Sequence, residues 1–135
     1  MRRALGMLTL AAALTAGWGG CSDQGPTAGE LSVRLTSSRS GDRAILFRVV
    51  GAQHGVTAGT GTSYRVISDT SAAGDTSWIA VLTPQGTSLA AGEIARLAVP
   101  DTRRAGSYVI SVTDIAAYDY SVGDIAGASL LVVKP

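Results

Sequence analysis

The chain has 135 residues, of which 46% are hydrophobic and 16% charged, with a formal net charge of +1. The apolar content excludes a disordered acidic or basic tail, and a near-neutral charge without any basic run argues against a nucleic-acid partner. Setting aside a leader at residues 1–20 leaves enough chain for one domain and too little for two, carrying nine basic against ten acidic groups.

Arg2 and Arg3 form a short basic opening, and residues 4–16 are apolar except for Gly6, Thr9 and Thr15. As a helix this stretch reaches roughly 20 Å, short of a ~30 Å hydrocarbon core, so the pattern predicts an export signal and not a membrane span. Small residues then lead to Cys21, the single cysteine, in Ala16-Gly17-Trp18-Gly19-Gly20-Cys21-Ser22. This segment resembles a bacterial lipobox, with Trp18 where that pattern prefers Leu. The resemblance implies that Cys21 is lipidated, becomes the mature N-terminus and holds the chain to a membrane. Ordinary cleavage after Gly19 or Gly20 is the alternative, and it leaves a thiol open to oxidation or intermolecular pairing. Residues 22–29 are polar and contain Gly and Pro, a tether reaching about 25 Å at ~3.1 Å per residue. In the lipoproteins that the segment resembles, Asp after the cysteine favours inner-membrane retention. Ser22 in that place points to the outer membrane or cell surface.

From residue 30 onward the chain reads as short strands separated by turn chemistry. Residues 30–36 alternate, with Leu31, Val33 and Leu35 on one face. Residues 37–42 form a turn cluster. Residues 44–50 are apolar on both faces except Arg48, as in a central strand. Residues 51–63, with their glycines, predict a loop with room for one brief strand. Residues 64–68 alternate again, Tyr64, Val66 and Ser68 against Arg65 and Ile67. Residues 76–83 carry Trp78, Ile79, Val81 and Leu82, and Trp78 is expected in the core among them. Pro84-Gln85-Gly86 suits a β-turn. Residues 93–99 predict a strand with Glu93 and Arg96 at the rim or outside. A helix over residues 89–99 is the rival for that segment, weakened by alternation and by Pro100. Residues 100–106 predict a polar turn. Residues 107–113 set Val109, Ser111 and Thr113 against Tyr108, Ile110 and Val112, residues 114–123 a longer connection, and residues 128–133 a closing strand. Strands at this density imply an all-β, two-sheet antiparallel sandwich of seven to nine strands, over residues 30–135.

The residues that perform acid–base chemistry are scarce. His54 lies in a Gly-flanked loop, and no Gly-x-Ser-x-Gly turn is present. Nothing in the sequence marks the two glutamates, Glu30 and Glu93, as the buried or paired carboxylates that glycoside hydrolysis requires. Asp114, Asp119 and Asp124 recur at five-residue spacing, wider than the alternate-position oxygens of calcium loops. Neither enzyme activity nor a metal or cofactor is expected. Arg103 and Arg104 suit a solvated turn tip. Tyr118 and Tyr120, two apart in a loop, are the candidate ligand-binding pair, with a sheet face carrying Arg34, Arg48 and Arg65 as a second candidate surface.

Three stretches together resemble the cohesin and carbohydrate-binding β-sandwich superfamily. They are residues 41–51 (GDRAILFRVVG), residues 91–99 (AGEIARLAV) and the run from Ser107 to the terminal strand ending in Ser129-Leu130-Leu131-Val132-Val133. The resemblance implies an immunoglobulin-like or cohesin-like sandwich that binds a dockerin-like protein or a polysaccharide at the cell envelope. The alternative is a structural spacer or adhesion subunit whose edge strands pair with another chain.

Overall fold

A computed structural model of the chain describes residues 25–37 and 41–135. The leader at residues 1–20, Cys21, residues 22–24 and the tip of the first turn cluster lie outside the described residues. The fold is the expected antiparallel β-sandwich. Among the described residues it has eight strands, β1 (Gly29–Ser37), β2 (Ala44–Val50), β3 (Gly55–Ala58), β4 (Arg65–Thr70), β5 (Thr76–Leu82), β6 (Gly92–Val99), β7 (Val109–Ala116) and β8 (Ala128–Val133). One sheet has the order β3-β6-β1-β8 and the other β4-β5-β2-β7.

Alternation decides which side chains meet between the sheets. Leu31, Val33 and Leu35 of β1 point inward, as their spacing predicts, and meet Ile45, Phe47 and Val49 of β2, Ile79 and Val81 of β5, and Leu97 and Val99 of β6 in one core cluster. β2 is a central strand, paired with β5 on one side and β7 on the other. Residues 92–99 form a strand and not the rival helix, pairing with β1 from Gly29↔Val99 to Leu35↔Gly92. The loop at residues 51–63 does contain one brief strand, β3, which hydrogen-bonds to β6.

Two segments differ from expectation. Residues 100–106 were expected as a plain polar turn, but Thr102–Ser107 winds into 3-10 geometry, with the Asp101 side chain accepting from the Arg103 N–H as its cap. The connection expected from residue 114 begins later, because β7 continues to Ala116 through a bulge: Leu46 faces Asp114 while Phe47 faces Val112. The extra residue restores inward parity, and Ile115 enters the core at 2% exposure.

The topology gives the sandwich two distinct ends. The chain enters at one, where Thr27 receives a backbone hydrogen bond from the Thr102 N–H at 2.8 Å and donates its own N–H to Asp101 at 3.2 Å. The start of β1, the end of β6, the start of β7 and the end of β8 all gather there. β7 then runs the length of the sandwich, so the β7–β8 connection with Tyr118 and Tyr120 caps the opposite end.

Candidate functional site

The two outer faces differ in chemistry. On the first sheet, Glu93 and Glu30 converge on Arg96, whose Nε lies 2.8 Å from Glu93 and whose Nη1 lies 3.1 Å from Glu30. Ser32, fully buried, donates its hydroxyl to Glu93 at 2.6 Å, and the Thr60 N–H donates to the same carboxylate at 2.7 Å. The Arg96 guanidinium, aided by Ser32 and Thr60, outweighs partial burial and holds the Glu93 carboxyl down to about 2. The glutamates, unpaired in the sequence pattern, are thus both partnered. Glu93 is a permanently charged structural group near neutral pH, unsuited to carrying protons.

The second sheet presents a different surface. Trp78, expected in the core, instead stands on the outer face at 43% exposure, because its strand neighbours Ser77, Ile79 and Val81 take the inward positions. It sits in a cross-strand row with Asp69 of β4 and Arg48 and Ser111 of the β2–β7 pair. The next row carries Ile67, Ala80 and Leu46, ending at Asp114, and the one beyond carries Arg65, Leu82, Ala44 and Ala116. Ile67 is 50% exposed and Val109 60%. A shallow depression of about 230 Å³ lies over Ile67, Ala80, Leu46 and Leu82. A solvent-facing antiparallel sheet ordinarily shows polar residues on its outer face, as the first sheet does here apart from Leu131 on β8. An aliphatic and aromatic surface interrupted by Arg48 and edged by Arg65, Asp69 and Asp114 is the composition of a contact surface.

The arginines grouped by sequence are divided by the fold. Arg48 and Arg65 share this outer face, whereas Arg34 lies on β1 in the other sheet, opposite Glu93.

Tyr118 and Tyr120 occupy one tip, at 70% and 63% exposure. The tip is a tight reversal in which the Tyr120 N–H bonds the Ala117 carbonyl and the Ala117 N–H bonds Ser121. Tyr120 takes φ 63°, a left-handed conformation that an aromatic residue rarely adopts. Asp119 braces the turn by accepting from the Ser121 N–H at 3.0 Å and from its hydroxyl at 2.5 Å. The tyrosines are therefore together, but at the end of the sandwich and not beside Trp78.

The aspartates are each used locally. Asp114 accepts from the Ile115 N–H, Asp119 braces the tip, and Asp124 caps the 3-10 turn Ile125–Gly127. Among the described residues, no three of His, Cys, Asp or Glu gather into a group that could hold a metal. His54 is exposed, and its backbone N–H bonds the Ala98 carbonyl. The candidate lipidation residue Cys21 lies outside the described residues.

Sequence reasoning missed the Trp78 face because residues 76–82 carry apolar side chains at both parities. The signal was present in the neighbours: Ile79 and Val81, both β-branched, share the parity opposite to Trp78, and charged Arg48 breaks the partner strand on the face that Trp78 shares.

Compared with family models, curated proteins and solved structures, the chain matches none.

Proposed function

We propose that the chain is a non-enzymatic lipoprotein of the cell envelope, anchored at Cys21, whose cohesin-like β-sandwich binds a protein or carbohydrate partner. The observation that carries the binding role is the apolar patch of Ile67, Ala80, Leu46 and Leu82 on the outer face of the β4-β5-β2-β7 sheet, with exposed Trp78 in the adjoining row. Burying such a face against a partner is favourable at roughly 25 cal/mol per Å² of apolar surface, and exposed aromatics supply most of the energy in such contacts. The aliphatic neighbours Ile67, Leu46 and Leu82 favour a protein segment over a sugar, for which Trp78 is the one stacking ring on this face among the described residues. The Tyr118–Tyr120 tip is the second contact element. The leader and lipobox-like segment support an envelope location, with Ser22 favouring the outer membrane or cell surface. Support for a role without catalysis comes from Glu93 and Asp101, whose carboxylates are tied up in ion pairs.

The test is retention of envelope protein and polysaccharide by the mature chain, compared with Trp78→Ala and with Tyr118→Ala/Tyr120→Ala, with and without a calcium chelator. A partner retained by the wild type and lost by Trp78→Ala at unchanged Tm supports the face. Loss confined to the tyrosine variant moves the contact to the tip. Chelator sensitivity points to a dockerin-like partner. Equal retention by all variants refutes both surfaces, and concentration-dependent self-association without ligand favours the spacer or adhesion subunit.

A further inference from the structure

The end of the sandwich where the chain enters carries a cleft of about 440 Å³ lined by Pro26, Ala52, Asp101, Arg103, Arg104 and Tyr108. Its polar groups divide sharply into committed and uncommitted. Asp101 is saturated by donors: the Thr27 N–H at 3.2 Å, the Arg103 N–H at 3.1 Å, Arg103 Nε at 3.0 Å and Arg103 Nη2 at 3.1 Å. The Arg103 fork and these N–H groups hold its carboxyl far below the usual range, so the charge is permanent and already neutralised. The Tyr108 hydroxyl donates to the Ala52 carbonyl, and burial pushes its pKa up, so it stays a neutral phenol. Arg104 differs. It is exposed, it borders the cleft, and among the described residues no carboxylate pairs with it.

The chain leading to this cleft is short. Thr27 is already bonded to the domain on both its N–H and carbonyl sides. The five residue-to-residue steps from Cys21 to Pro26 reach at most about 18 Å at up to 3.6 Å each. A lipid on Cys21 would therefore keep the cleft within about two Debye lengths of the headgroups. The cleft thus lies at the end of the sandwich where the tether enters.

We propose that the cleft seats the phosphate of an anionic lipid headgroup, with the Arg104 guanidinium as its charge partner. The proposal rests on the anchoring at Cys21 given above. A planar guanidinium presents paired N–H donors that match phosphate oxygens. Among the described lining residues Asp101 is the acidic group, and its ion pair with Arg103 offsets its repulsion of the ligand. Docking would fix how the sandwich stands on the membrane, with the Tyr118–Tyr120 end directed away from it.

The test couples the whole mature chain through the Cys21 thiol to a maleimide lipid in nanodiscs, so that tethering does not depend on natural lipidation. Hydrogen exchange is then followed at residues 101–108 in phosphatidylglycerol and phosphatidylcholine discs. The expected result is exchange slowed roughly fivefold by the anionic lipid, the effect of one basic group near such a surface, and abolished by Arg104→Glu. Equal exchange in the two lipids, or a difference that Arg104→Glu preserves, overturns the proposal. Millimolar inorganic phosphate giving the same protection in phosphatidylcholine discs makes free phosphate the occupant and also overturns it. The mass of the Cys21 peptide from protein recovered from a bacterial envelope reports on anchoring separately. An unmodified cysteine overturns the anchoring and with it the native occupant, whereas failure in the coupled discs overturns the cleft alone.

Discussion

Replacing Glu93 with Gln keeps the shape of the side chain and removes the charge around which one face of the first sheet is organised. In the native chain that carboxylate accepts from Ser32, Thr60 and Arg96 at 2.6, 2.7 and 2.8 Å. Its pKa falls from 4.5 to about 2 on folding. At about 1.4 kcal/mol per pH unit that drop corresponds to an upper bound of about 3 kcal/mol. The group lies on an outer sheet face, where water screens the pair, so about 1–2 kcal/mol is the working figure. Because the folded pKa is depressed, this contribution is fully present above pH 4.5 and lost as pH falls through about 2. Urea unfolding of wild type and Glu93→Gln at a series of pH values measures the effect. The variant should be less stable by about 1–2 kcal/mol at neutral pH, a Tm lower by roughly 5–10 °C, and the two curves should converge near pH 2. A difference independent of pH would refute the charge account, and no difference at neutral pH would refute the pairing itself.

Phe47→Ala empties the largest fully buried side chain and should lower stability by about 3–5 kcal/mol, read from the urea midpoint. Tyr120→Gly relieves a left-handed residue at φ 63° and should raise stability by about 0.5–1 kcal/mol, visible as a higher Tm. Gly51→Ala should destabilise by about 2 kcal/mol or more: φ is +145°, and an added Cβ would lie 2.3 Å from the Tyr108 ring. Thermal melts of that variant alongside Tyr108→Ala check whether the ring is what Gly51 accommodates.

The strands were legible because their alternation is a direct consequence of half-buried pleated geometry. Leu31, Val33 and Leu35 could face only the core, since Arg34 and Thr36 occupy the other parity. The local signal was weaker where both parities are apolar. In residues 76–82 the placement of Trp78 depends on which neighbour strand meets it, a long-range fact set by its pairing with Arg48. The β7 bulge was illegible for a related reason: an inserted residue is defined by the partner strand and not by its own sequence. The Glu93–Arg96–Glu30 group joins residues 66 positions apart, which no local pattern reports. By contrast, the tyrosine pair was readable as exposed because Asp and Ser surround it in a turn composition.

The placement of β1 has a mechanical consequence. A pull on the N-terminal segment first loads the two hydrogen bonds of Thr27 and then Gly29, at the start of a strand bonded to β6 along one side and β8 along the other. Drawing that strand out along its axis loads both ladders in shear, so their hydrogen bonds resist together. An edge strand such as β4, bonded only to β5, would peel bond by bond. Forced unfolding is governed by the barrier and not by the equilibrium stability, so a domain pulled from this end holds by the arrangement of its strands more than by its free energy of folding.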